Sequence, residues 1–158
     1  MNAKFFYFRS MIIALAVFTY SCSSSDDSPN NSNNTAAEIQ QIADNAASGT
    51  WRITSYVDSG QDETNHFNGY NFTFEPNGTL SATDGNNTVN GTWSVTDSSN
   101  SSDDSNDDID FNISFSAPAD FLDLSDDWDI VTHTNTRIEL IDISGGNGGT
   151  DILIFQKN

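Results

Sequence analysis

Cysteine occurs once in this chain of 158 residues, at Cys22, so no disulfide can form within it. Basic residues are almost as scarce: five Lys and Arg stand against 23 Asp and Glu, for a formal charge of −18. Two of the five, Lys4 and Arg9, precede Cys22, and no acidic residue does. Such a field repels phosphate backbones and anionic head groups, which argues against nucleic acid as a partner. No apolar run reaches the roughly 20 residues that a spanning helix needs. Phosphate loops, nucleophile elbows, paired-His zinc motifs and dinucleotide fingerprints are missing too. The two histidines, His66 and His133, are far apart in the chain. The expectation is a protein that is not an enzyme and carries no cofactor.

What is present begins with a targeting pattern. Lys4 and Arg9 make a positive start, residues 11–18 read Met-Ile-Ile-Ala-Leu-Ala-Val-Phe, and small Ser21 precedes Cys22. This is the order of a secretory signal peptide over residues 1–21. The segment Phe18-Thr19-Tyr20-Ser21-Cys22 resembles a lipobox, departing from it at Thr19 and Tyr20. The resemblance implies cleavage before Cys22 and acylation of its thiol, with lipid chains contributing about 0.8 kcal/mol per buried methylene. Ser23, Ser24, Ser25, Asp26 and Asp27 then resemble the export signal of surface lipoproteins of Bacteroidetes-type bacteria. That implies an outer-membrane anchor and display at the cell surface; a plain acidic stalk facing the periplasm is the alternative. Residues 22–34, rich in Ser, Asp and Asn, bury nothing and read as a disordered stalk with a reach of roughly 20 Å.

Residues 35–158 read as one domain, monomeric and large enough to build a core without disulfides or metals. A helix is predicted first: Asn34 or Thr35 can cap it, Gly49 stops it, and Ile39, Ile42, Ala43 and Ala46 share a face. From Gly49 the apolar period becomes two. Trp51, Ile53 and Val57 share a face, as do Tyr70, Phe72 and Phe74. Pro76-Asn77-Gly78 marks a turn before a strand over residues 79–83. Val89, Trp93 and Val95, then Ile109, Phe111, Ile113 and Phe115, alternate with polar residues. Strands over 128–133, 137–143 and 151–156 complete the chain. Such alternation gives one buried and one wet face, and hence an antiparallel sheet. Eight short strands in meander order predict an all-β fold, a small antiparallel up-and-down barrel with one short N-terminal helix. Ile141 and Ile152 lie on the second face of the last strands, and the helix is expected to cover them.

The segments Gly49-Thr50-Trp51 and Gly91-Thr92-Trp93, with Gly69-Tyr70-Asn71-Phe72-Thr73-Phe74, Asn77-Gly78-Thr79-Leu80 and Leu124-Ser125-Asp126-Asp127-Trp128, resemble the lipocalin-like domains of Bacteroidetes lipoproteins. The resemblance covers roughly residues 49–155. It implies a barrel with a mouth for an apolar ligand, and a first-strand Trp51 closing the base against a late basic residue, Arg137 or Lys157. The candidate interior is Trp51, Tyr70, Phe72, Phe74, Trp93, Phe111, Phe115 and Trp128. Barrels of about eight strands have interiors that side chains can fill, however. Two functions therefore stay open. One is a binding module for a small apolar or glycan ligand. The other is a structural or interaction lipoprotein of the envelope with a filled barrel. Asp103, Asp104, Asp107 and Asp108 offer hard oxygen ligands but lack the spacing and glycine of an EF-hand loop. Residues 145–151 contain a single glycine-rich copy of a calcium repeat that needs several. No metal is expected.

Overall fold

The computed structural model describes residues 31–97, 109–143 and 149–158, with side chains from Thr35. The expected signal peptide over residues 1–21, Cys22, the motif expected to direct export over residues 23–27, the acidic run with Asp103, Asp104, Asp107 and Asp108, and residues 145–148 lie outside the described residues. No described helix is long and apolar enough to cross a membrane.

Helix α1 (Asn31–Ala47) leads into strands β1 (Thr50–Asp58), β2 (Gln61–Asp62), β3 (Asn71–Phe74), β4 (Thr79–Thr83), β5 (Thr88–Asp97), β6 (Ile109–Phe115), β7 (Asp126–His133), β8 (Arg137–Ile143) and β9 (Thr150–Lys157). Each strand from β3 to β9 pairs antiparallel with the next, and β1 pairs with both β3 and β9, which closes an eight-stranded barrel. β2 is a two-residue addition against the far end of β1. The meander expected from the alternating pattern is the observed order. Closure leaves the eight strands no long free edge.

Three features depart from the expectation. The helix begins by Asn31, so Thr35 lies inside it and is buried rather than capping its start. On β1 it is Tyr56, not Val57, that joins Trp51 and Ile53 in the core. The register against β9 jumps between Ile53 and Ser55, and the extra residue reverses which side chains point inward. Finally, α1 does not lie over the outer face of β8 and β9. It packs mainly against β5 and β3 and sits across one end of the barrel. Ile141, Ile152 and Ile154 stay half-buried, and Ile143 is 66 % exposed. The buried apolar residues of α1, Ile42 and Ala46, are taken up by the barrel end, where the Ala46 carbonyl also accepts the Trp51 indole N–H.

Candidate functional site

The barrel interior is the natural place to look for a ligand, and its walls are aromatic. Phe72, Phe74, Trp93, Phe111, Phe115 and Phe155 are all buried. Phe74 stands at the centre, edge-on to Trp93 at 5.2 Å, to Phe111 at 5.4 Å and to Phe155 at 5.4 Å between ring centroids. Trp93 stacks on Phe111 at 5.7 Å. Edge-to-face spacings of this kind leave no room between rings. Gly91 belongs to the same packing: a Cβ there would collide with the Ser114 carbonyl and lie 2.7 Å from the Phe115 ring. The three indole N–H groups donate to carbonyls, Trp51 to Ala46 at 2.8 Å, Trp93 to Glu75 at 2.9 Å and Trp128 to Leu124 at 3.1 Å. The tryptophans are thereby buried without an unpaired donor.

Both ends are sealed. At the helix end, Ile42 and Ala46 are buried over the interior. Lys157, directly opposite Trp51 in the β1–β9 register, places its ammonium 5.0 Å from the Trp51 ring centroid and donates to Ser48 Oγ at 2.6 Å. Lys157 therefore takes the position implied for a late basic residue, whereas Arg137 pairs with Glu139 at 2.8 Å. Gly49 makes room for it, since a Cβ there would stand 2.9 Å from the Lys157 side chain. At the other end, two loop elements that the alternating pattern does not reveal supply plugs. A 3-10 turn (Thr64–Phe67) inserts Phe67, and helix α2 (Ala119–Leu122) inserts Phe121. The two rings meet at 5.3 Å, and Phe121 also meets Phe115 and Tyr70, each at 5.1 Å. Tyr70 is only half-buried, at the rim of this plug. Trp128 and Leu124 are fully buried beneath it.

Acidic residues ring the plugged end. The Tyr56 hydroxyl donates to the Asp123 carbonyl at 2.6 Å. Burial pushes its pKa far up, and the charges of Asp58, Asp123, Asp151 and Asp126 add to this. Asp126 is pushed up to about 6, first by burial, then by its side-chain contact with Asp127 and the charge of Asp142, against the Asp127 backbone N–H, which lowers it. A carboxyl with a raised folded-state pKa contributes stability below its unfolded value and loses it as pH rises through the folded value. The window here runs from about 4 to about 6. Asp126→Asn is expected to raise stability at pH 7.5 by on the order of 1 kcal/mol, allowing for solvent screening, and to do little at pH 4. Thermal melts of parent and variant at the two pH values test this; a gain of equal size at both would mean that ionisation of Asp126 is not the cause.

The histidines do not converge. His66 sits near the plugged end, 3.3 Å from Glu63 and 3.9 Å from Asp120, and His133 at the helix end, 3.9 Å from Glu38. Among the described residues no group of three His, Cys, Asp or Glu could hold a metal ion.

A cleft does open on the outside of the barrel. β1 and β3 pair only at Thr50–Thr73 and Trp51–Phe72. Beyond that point β1 turns to other partners, since β2 takes Val57 and Asp58 while Thr64 Oγ1 accepts from the Tyr56 N–H at 2.8 Å. The gap left between β1 and β3 has a volume of about 330 Å³ and is lined by Arg52, Asn68, Tyr70, Asn71 and Asn158, over a floor that includes Ile53 and Phe67. Asn158 is fixed there by donating to Asn71 Oδ1 at 2.7 Å and to Thr50 Oγ1 at 3.3 Å. Among the rim residues only Tyr70 is marked by the alternating pattern, as an interior aromatic, and it stands half-buried at the rim instead. The others are polar residues from three separate segments, and only the splayed pairing brings them together.

No family model matches the chain, and no curated protein does. A solved structure similar to it is a DUF4847 family protein from Bacteroides vulgatus ATCC 8482, 17% identical, with a TM-score of 0.45; the match covers 72% of this chain and 94% of that one.

Proposed function

We propose that this protein is a lipoprotein of the bacterial outer membrane, tethered through a lipid on Cys22 and displayed at the cell surface. In this reading it is not an enzyme, and it acts through the outside of a filled barrel. The observation that carries the reading is the interior itself. Interlocked rings occupy it, α1 covers one end, and Phe67 and Phe121 plug the other. An apolar ligand held inside would have to displace several buried rings, at a cost that modest ligand affinities do not meet. Anchoring and display are supported by the sequence before residue 28, where a positive start, an apolar run, Cys22 and the Ser-then-Asp motif follow in order.

Two measurements test the two halves. Broad-specificity proteolysis of intact cells, followed by immunoblotting, is expected to remove the domain. Trypsin is unsuited, because only Arg52, Arg137 and Lys157 follow Cys22. Protection until lysis would place the protein on the periplasmic side. Titration of the purified protein with a fluorescent fatty acid is expected to show no saturable uptake. Saturable uptake at micromolar concentration would sink the filled-barrel reading.

A further inference from the structure

Charge is segregated around the barrel. β7, β8 and β9 carry Asp126, Asp127, Asp129, Glu139, Asp142 and Asp151. On β3, on β4 and on β5 as far as Thr96, the residues alternating with the inward-facing ones are Asn, Ser and Thr only. In a chain of charge −18, three of the eight barrel strands thus present an outer face without a carboxylate as far as Thr96. The β1–β3 cleft opens at the edge of this neutral wall, and no side-chain carboxylate lines it. Its one charged side chain is Arg52, whose guanidinium stands beside Asn158. The guanidinium has no salt bridge among the described residues and reaches only Asn158 Oδ1, at 3.4 Å. The Asn68 amide and the Tyr70 hydroxyl have no side-chain hydrogen bond among the described residues, whereas Asn158 and Asn71 are already fixed to each other. The cleft thus combines oriented amides, a guanidinium with free donors, and the half-buried ring of Tyr70 held edge-on to Phe121 at 5.1 Å.

We propose that the β1–β3 cleft binds a neutral saccharide. Amides act as donor and acceptor at once, and a guanidinium offers several donors in a plane, which suits adjacent hydroxyl groups. An aromatic side chain with a polar tip supplies apolar surface for the C–H face of a sugar ring. The volume matches the lower end of ligand sites, about 300 Å³, enough for one or two rings and too small for a folded partner. Electrostatics selects the neutral form. A sugar carboxylate could pair with Arg52, but it would have to approach against the whole acidic surface. A neutral sugar meets no such barrier. The proposal rests on the reading that the protein acts through the outside of its barrel.

The test is calorimetric titration of the purified chain with neutral oligosaccharides (β-glucan, mannan and xylan fragments) and, for comparison, with oligogalacturonate. At least one neutral fragment is expected to bind. Arg52→Gln and Asn68→Ala are each expected to weaken that binding by about tenfold, the value of one good hydrogen bond, without changing the melting temperature. Both residues are exposed, so neither variant should compromise folding. The proposal is overturned if no neutral fragment binds, if only oligogalacturonate binds, or if both variants bind as the parent does. The fatty-acid titration keeps the two readings apart: fatty acid excluded with no saccharide bound defeats the cleft alone, while fatty acid taken up defeats the filled barrel.

Discussion

Phe74→Ala is expected to destabilise the protein by about 3–5 kcal/mol and to turn a barrel that excludes apolar molecules into one that admits them. Phe74 is fully buried and touches three other rings edge-on, on β5, β6 and β9. Truncation removes its own burial and also the aromatic pair energies, each worth about 0.5–1.5 kcal/mol beyond area. The neighbours cannot collapse into the space, because Trp93 is tied by its indole N–H to Glu75 and stacked on Phe111. A dry apolar cavity of this kind takes up benzene-sized molecules. The parent should therefore show no change in melting temperature with benzene, and the variant should melt well below the parent and recover part of the loss when benzene is added. A loss below about 1 kcal/mol, or benzene stabilisation of the parent, would mean that the interior is loosely filled and would reopen the case for an internal ligand.

The parts of this fold that were legible in sequence are those in which one residue type repeats at a fixed period. Alternation in Phe72–Phe74, Val89–Val95 and Ile109–Phe115 marks strands with one wet face, and their even spacing marks a meander. What could not be read follows from events that break a period. The irregularity after Ile53 moves Tyr56 inward and Val57 outward, and nothing in Thr54 itself announces it. Phe67 stands alone in a polar loop, and Phe121 falls in the short run Phe121-Leu122-Asp123-Leu124, too brief to set a period of its own. Whether the barrel was open or plugged therefore depended on two residues that pattern analysis cannot place. The cleft was harder still. Arg52, Asn68 and Asn158 come together only because β1 leaves β3 after two paired residues, a consequence of the whole barrel's register rather than of any segment. The Trp51 base was legible by resemblance, but the choice between Arg137 and Lys157 was not. It is settled by the β1–β9 register, which sets Lys157 opposite Trp51.

Ile42→Asp is the second change with a large expected effect, and it tests what α1 does. Ile42 is 2 % exposed, and one turn further on Ala46 is buried and accepts the Trp51 indole hydrogen bond. Replacing the side chain removes about 1.5–3 kcal/mol of apolar burial. It also sets a carboxylate against an apolar barrel end, with no cation placed to receive it; Lys157 is engaged with Trp51 and Ser48. The expected loss is about 4 kcal/mol at neutral pH, roughly 15 °C in melting temperature for a domain of this size. Part of it should return near pH 4, where the new carboxyl can be protonated. That direction is shared with Asp126, so the comparison must be made against the parent at each pH. Because the helix covers the base, its release would also wet Trp51, and the tryptophan emission of the variant is expected to shift to the red before the strands unfold. An unchanged melting temperature would mean that α1 rests on the barrel without sealing it. The base would then be held by Trp51 and Lys157 alone, and the helix would be better understood as a segment leading up to the barrel than as part of its core.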